Sequence, residues 1–320
     1  MWGGGIYKNN LDYALRNNLS IEELSDTRFV KRLSKDIISS YLQLEATPEE
    51  YFVFGFRNKS LLERKAYLTN MTKDKILIDR IGWDKIYRLR DKYKLYQLLP
   101  ELFRRDVCVI SSVNDKARYE DFILRNNSYI AKPLDGMCGR GVAIYSGNHF
   151  NDLIENGKWI LEELVHQIPE MARFNQSSVN TVRLPSFMKN GKFIPIAPFF
   201  RTGRQGSIVD NGAAGGVFAA IDVQTGEIIS DGFDENNRSY ESHPDSRIQF
   251  KGFQIPLWSD LLNVAEYAHQ KLSDQRYIAW DFALTDKGWT LIEANSMGQF
   301  LWQYATKIGI RQTFLQLMAE

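Results

Sequence analysis

The sequence predicts an α+β fold: a mainly helical N-terminal region followed by an antiparallel, β-rich body. Three observations carry this. Capping boxes at Ser20/Glu23 and Ser60/Glu63 open helices over roughly the first hundred residues. An Asn190-Gly191 dipeptide between two apolar runs marks a hairpin. The stretch YIAWDFALTDKGWTLIEANSMGQ, Tyr277 to Gln299, reads as two strands joined by a tight turn.

In chain order, Thr47-Pro48-Glu49-Glu50 starts another helix, with proline at the first helical position. Behind these caps run the apolar residues Ile37, Ile38, Tyr41 and Leu42, then Tyr67 and Leu68, and aromatic residues concentrate in Tyr51 to Phe56. Arg90-Asp91-Lys92-Tyr93-Lys94 opens a helix carrying Leu95, Leu98 and Leu99, ahead of an apolar strand from Val107 to Ile110. A helix from Asn114 to Arg125 leads to strands at Ser128–Pro133 and Val142–Tyr145, a short helix at His149–Asn156 and a strand, WILEELV, within Lys158–Val165. From Ser177 an antiparallel meander begins, with its return strand ending at Phe199-Phe200-Arg201. Val217 to Ile229 forms a further hairpin turning at Thr225-Gly226, and residues 231–250 are polar and expected to be irregular. Pro256 opens an amphipathic helix with Leu257, Leu261, Val264, Ala265, Ala268 and Leu272, and Thr306 to Met318 closes the chain as a helix with Ile308, Leu315 and Met318 on one face.

The loop Asp135-Gly136-Met137-Cys138-Gly139-Arg140-Gly141 joins two strands. Dinucleotide and Walker A loops run from a strand into a helix, so neither fits. A glycine-rich hairpin folds backbone N–H groups over phosphates, as in protein kinases, and Lys132 on the feeding strand would reach a phosphate as a point charge. A plain surface hairpin with an incidental lysine explains the glycines as well. Glu162 and Glu163, being adjacent on a strand, point to opposite faces; one is open to solvent and the other to a pocket. Arg201 and Arg204 lie beside a glycine-rich stretch that continues through Asp210-Asn211-Gly212-Ala213-Ala214-Gly215-Gly216, an arrangement suited either to an anion site or to a mobile loop.

In the last hairpin Ile278, Trp280, Phe282 and Leu284 alternate with Ala279, Asp281 and Ala283. A three-residue loop, Asp286-Lys287-Gly288, pairs Thr285 with Trp289 and sets Asp281 opposite Glu293, with Asn295 two residues on along the same face. Facing carboxylates repel. A divalent cation between them, Mg2+ for a hard-oxygen set, removes the repulsion. A carboxylate turned to solvent at a sheet edge removes it too.

Composition narrows the classes. With 320 residues, 44% hydrophobic and 25% charged, the chain is an ordinary globular protein of about two domains. A net charge of +1 gives no reason to expect nucleic acid. Two cysteines, Cys108 and Cys138, and four histidines form neither a disulfide framework nor a zinc cluster. No apolar run has the length of a membrane span, and the N-terminus lacks the apolar core of a signal peptide, so a cytoplasmic protein is expected.

The order of these motifs resembles the ATP-grasp superfamily, and more narrowly the sugar-transfer-associated ATP-grasp proteins. YFVFGF, RDKYKLYQLL, AKPLDGMCGRGV, SVNTVRL, DNGAAGGVFAAID and AWDFAL…LIEAN carry the resemblance, which covers most of the chain from about residue 50 onward. It implies a small α/β lid and a larger antiparallel β-rich domain that grip ATP between them. It divides the chain into a helical region at 1–95 and an ATP-grasp domain at 96–320, with the lid at about 114–165 and the metal and substrate part at about 166–320. It implies that Lys92 and Lys132 contact phosphates, that Gly136, Gly139, Arg140 and Gly141 cover them, and that Glu162 binds the adenine amino group with the backbone around Glu163 to Val165 at the adenine edge. Asp281, Glu293 and Asn295 would hold one or two Mg2+ ions, or Mn2+. Arg183 would face the γ-phosphate or a substrate carboxylate, and Arg201 and Arg204 would contact substrate. Many members place a basic residue soon after the metal-binding asparagine; here Ser296-Met297 follows. The implied reaction is ATP-dependent ligation of a small-molecule carboxylate to an amine through an acyl phosphate, on a sugar-linked or amino-acid-like substrate in surface-glycan synthesis. A phosphotransferase using the same pocket, or a nucleotide-binding module without turnover, are the alternatives.

Overall fold

The computed structural model describes residues 4–134, 141–204, 206–207 and 215–319. The expected capping boxes form: the Ser20, Thr47 and Ser60 side chains each accept a hydrogen bond from the backbone of Glu23, Glu50 and Glu63, whose carboxylates return one to the cap. The helix Thr27–Leu44 buries Leu33, Ile37, Ser40 and Leu44, a stripe at helical spacing. Ile38 and Leu42, also among the apolar residues behind the caps, fall just off that stripe and stay exposed. Tyr51, Phe54, Phe56 and Tyr67 stack edge-on and tilted in the interior of this region, so the aromatic run is core.

Among the described residues four strands make the smaller sheet: β1 (Val107–Ile110), β2 (Ser128–Pro133), β3 (Ala143–Ser146) and β4 (Trp159–Glu163). Their order is β1-β4-β2-β3, antiparallel throughout. The helices Lys116–Arg125 and Phe150–Glu155 bring Tyr119, Phe122, Phe150 and Leu153 against Tyr129 and Leu161. The glycine-rich loop therefore does run from strand to strand.

Among the described residues the larger sheet has eight strands: β5 (Thr181–Lys189), β6 (Lys192–Pro195), β7 (Phe199–Thr202), β8 (Val217–Ala220), β9 (Gly232–Phe233), β10 (Ser239–Tyr240), β11 (Tyr277–Thr285) and β12 (Gly288–Asn295). The order is β10-β9-β8-β7-β5-β11-β12, with β6 also pairing β5. Asn190 and Gly191 both take positive φ, 53° and 71°, the geometry of a two-residue hairpin turn whose twist matches the strands. The return strand is broken at Ala197, φ 47°, into β6 and β7. β9 and β10 lie in the segment expected to be irregular; they are short and lengthen the sheet edge.

β11 is central, and each of its nine residues is buried. Ile278, Trp280, Phe282 and Leu284 face one core, shared with Val182, Leu184 and the helix Trp258–Lys271. Tyr277 and Ala279 face another, shared with Phe187, Phe314, Leu77 and Ile81. Asp281, two residues beyond Ala279, therefore points to the side on which the helix Asn70–Ile81 packs.

Two helical expectations fail at their ends. Leu257 precedes the helix with φ 52° and is 55% exposed, so it is a cap residue and not part of the apolar face. The closing helix is two helices, Trp302–Thr306 and Arg311–Met318, with Lys307 left-handed between them. The break follows from a close approach: Arg311 N–H donates to Ala66 O at 3.0 Å, and a Cβ on Gly309 would fall 2.2 Å from the same oxygen. Ile308 and Leu315 are exposed; Met318 is buried as expected, together with Ile310 and Phe314.

Candidate active site

The β11–β12 hairpin brings the acidic residues together by a route the sequence did not suggest. Thr285 pairs with Gly288, one residue short of the expected Trp289, and this register continues to Phe282 opposite Leu291. Asp281 then pairs with Glu293, which leaves Ile292 as an extra residue in a β-bulge. Without the bulge Ile292 would oppose Asp281 and Glu293 would turn to the other face. The bulge restores the expected pairing, and Asn295 opposite Ala279 completes the row.

Asp281 is almost wholly buried and lies between two arginines. Arg183, its register partner on β5, donates through Nε to Oδ1 at 2.5 Å and through Nη2 to Oδ2. Arg201 on β7 donates to Oδ2 at 3.1 Å. All three side chains share a face, because Arg183 pairs Phe199 and Arg201 lies two residues further along. Burial works against the charged carboxylate, but Arg183 and then Arg201 outweigh it and hold its pKa below the usual range.

The second cluster is on the smaller sheet. Ile130 pairs Glu162 and Lys132 pairs Ile160, so Lys132 and Glu162 are diagonal neighbours on one face. Lys132 Nζ donates to Glu162 Oε2 at 2.8 Å. Arg105 comes from two residues before β1, whose Val107 pairs Glu162 on its other side. Its Nε donates to the same Oε2 at 2.8 Å, and its Nη2 lies 2.6 Å away. Burial alone would raise the Glu162 pKa; Arg105 and Lys132 reverse that and hold it at about 2. Arg105 Nη1 also donates to Phe103 O, Thr290 Oγ1 and Leu291 O. The guanidinium thus joins β4 of one sheet to β12 of the other, two residues from Glu293.

The remaining expected residues divide. Lys92, at the start of the helix Lys92–Leu98, donates to Pro133 O at 3.3 Å, beside Lys132. Gly141 packs against Pro133, where a Cβ would sit 2.9 Å from Cγ. Glu163 points away from Glu162, accepts from Asp106 N–H at 3.0 Å and faces Lys287 at 3.8 Å. Val165 follows β4 and is half-buried. Arg204 is held by Asp245 through Nε at 2.9 Å and Nη2 at 3.1 Å. Gly136, Cys138, Gly139, Arg140 and 210–214 lie outside the described residues.

Two residues of this neighbourhood escaped the sequence reading. Arg105 had one signal, a second arginine directly before an apolar strand. Lys73 had another: with Leu77 and Ile81 it occupies the buried face of its helix, an unusual place for a lysine.

The residues at the hairpin fit a divalent cation. Asp281, Glu293 and Asn295 offer two carboxylates and an amide oxygen on one face, a hard-oxygen set suited to Mg2+. The Asn295 amide nitrogen is buried there with no hydrogen-bond partner. Arg183 and Arg201 supply the positive charge beside Asp281. Among the described residues, no group of three or more His, Cys, Asp or Glu side chains is close enough to bind a metal.

A smaller antiparallel sheet carries Lys132, a larger one carries the acidic hairpin, and Arg105 joins them, as the resemblance to the ATP-grasp class implies. The chain belongs to the sugar-transfer associated ATP-grasp family, whose model matches residues 154–318, just over half of its length. Solved structures resemble it at low identity. D-alanyl-alanine synthetase A from Vibrio cholerae is 10% identical with a TM-score of 0.45, over 72% of this chain and 64% of that one. VanG D-Ala:D-Ser ligase from Enterococcus faecalis is 13% identical with a TM-score of 0.47, over 72% and 60%. D-alanine–D-alanine ligase from Bacillus anthracis is 14% identical with a TM-score of 0.44, over 72% and 66%. The chain spans under two thirds of the length of each. No curated protein matches it.

Proposed function

We propose that this protein is an ATP- and Mg2+-dependent ligase that joins a small-molecule carboxylate to an amine through an acyl phosphate. The acceptor is sugar-linked or amino-acid-like, in surface-glycan synthesis in the cytoplasm. The observation that carries the reading is the facing of Asp281 and Glu293 across β11 and β12, with Asn295 in line and Arg183 and Arg201 against Asp281. Residues 1–95 form the helical region in this reading, and 96–320 the ATP-grasp domain with its lid at about 114–165.

Each role follows from charge and position. Lys132 and Lys92 hold the phosphates, and Lys132 leaves Glu162 to Arg105 when it does so. Gly136, Gly139, Arg140 and Gly141 cover the phosphates, and Glu162 with the backbone from Glu163 to Val165 lines the base. Arg183 and Arg201 orient the substrate carboxylate, with Arg204 further out. Bound Mg2+ between Asp281, Glu293 and Asn295 would offset charge developing on the phosphoryl oxygens. The γ-phosphoryl group passes to a carboxylate oxygen and ADP leaves. The amine then attacks the acyl carbon, the C–O bond to phosphate breaks, and the amine proton passes to solvent. Positioning and exclusion of water account for most of the rate.

The test is incubation with Mg-ATP and mixtures of carboxylates and amines. The reading expects ADP, phosphate and condensed product in equal amounts. A phosphorylated acceptor without free phosphate would make the protein a phosphotransferase. ATP binding without ADP above background would end the enzymatic reading.

A further inference from the structure

One charged side chain of the N-terminal helices reaches the turn that follows the acidic hairpin. Lys73, in the helix Asn70–Ile81, is 2% exposed. Its ammonium donates to Met297 O at 2.9 Å and Gly298 O at 3.1 Å, and lies 3.1 Å from Asp74 Oδ1. The ammonium thus makes two hydrogen bonds to carbonyls and one ion-pair contact. Met297 and Gly298 are the turn directly after Ser296, the residue that follows Asn295.

That turn is pinned from several sides. Tyr277 OH donates to Gly298 O at 3.0 Å, and Ser296 Oγ donates to Ile86 O at 3.3 Å. A Cβ on Gly298 would come within 2.4 Å of Ala279 Cβ, so the turn lies tight on β11. Asn295, by contrast, has a buried amide nitrogen with no partner of its own. Its direction is set by the backbone on either side: β12 before it, and the turn held by Lys73 after it. Burying this lysine costs desolvation, offset by Asp74 and the two carbonyls it serves.

We propose that Lys73 is a positioning residue of the cation site: by fixing the Met297–Gly298 turn it sets the angle at which Asn295, and with it Glu293, presents oxygen to the metal. The N-terminal helical region is then part of the site and not an appendage to it. The inference rests on the reading of Asp281, Glu293 and Asn295 as metal ligands.

The experiment is thermal unfolding of the full chain with a saturating non-hydrolysable ATP analogue, titrated with Mg2+, for wild type and Lys73→Met. The expected result is at least a tenfold rise in the Mg2+ concentration giving half the metal-dependent stabilisation, with the stabilisation by nucleotide in EDTA unchanged. A merely structural lysine would lower the starting melting temperature and leave that midpoint in place, which overturns the inference. If Lys73→Met does not melt cooperatively, Tyr277→Phe, which removes only the hydroxyl on Gly298 O, is titrated in the same way. A rise of about threefold or more supports the inference, and an unmoved midpoint overturns it. Absence of any Mg2+ effect in wild type overturns the cation site itself, and the role of Lys73 with it.

Discussion

Arg105 ties Glu162 of the smaller sheet to the larger one: Nε donates to Oε2 at 2.8 Å while Nη1 of the same guanidinium donates to Leu291 O on β12 at 2.8 Å. The side chains are 4% and 3% exposed. Removing one partner of a buried pair strands the other, typically at about 3–5 kcal/mol. Lys132 remains beside Glu162, so Arg105→Met should cost roughly 3 kcal/mol, at the low end of that range. Urea unfolding measures it. A loss well under 1 kcal/mol would show that the link does not hold the sheets together.

Lys132→Ala and Glu293→Gln should each abolish turnover, with a fall of at least about a hundredfold, while leaving cooperative melting intact. Glu162 keeps Arg105 in the first variant, and Glu293 is only half-buried in the second. Loss of the melting transition in either variant would assign that residue a structural role.

Glu50 gives the protein a pH dependence of opposite sign to its buried ion pairs. Burial raises its pKa from 4.5 to about 7, although Thr47 and Asn70 backbone N–H groups donate to it. A raised carboxyl contributes stability in full below its unfolded pKa of 4.5 and loses it as pH rises through about 7. The whole interval corresponds to roughly 3 kcal/mol. Glu50→Gln should therefore flatten the fall in stability between pH 5 and pH 8 (about half to all of that amount), measured by urea unfolding at each pH. Glu162, held at about 2, contributes in full above 4.5 and loses its contribution as pH falls through about 2.

Gly309→Ala should destabilise by about 2 kcal/mol or more, since its Cβ would meet Ala66 O at 2.2 Å and Tyr67 N at 2.8 Å, both backbone atoms that cannot swing aside. Thermal melting decides this. A variant as stable as wild type would mean the linker between the two closing helices has room to shift.

Much of this was legible in the sequence where local rules dominate. Capping boxes, the Asn190-Gly191 turn and the alternation along β11 each depend on residues close in the chain. Asp281 opposite Glu293 was also foreseen, but through a register that is off by one at the turn and corrected by the bulge at Ile292. Two opposing shifts of one residue leave no trace in the pattern. The closing helix was misread because its break at Lys307 and Gly309 is imposed by Ala66, far away in sequence. Arg105 and Lys73 went unread for the same reason: their partners Glu162, Leu291 and Met297 are supplied by the fold. Arg183 and Arg201 were expected to contact phosphate or substrate; their shared hold on Asp281 came only from the register of β5 and β7.

The most direct test of the cation-dependent nucleotide site is the melting temperature with a non-hydrolysable ATP analogue, with and without Mg2+, on wild type and Asp281→Asn. At about 100 times its dissociation constant a ligand adds roughly 2.7 kcal/mol of stability. The account predicts a clear upward shift in wild type that needs Mg2+ and disappears in the variant. No shift in wild type, or an equal Mg2+-dependent shift in both proteins, would contradict it.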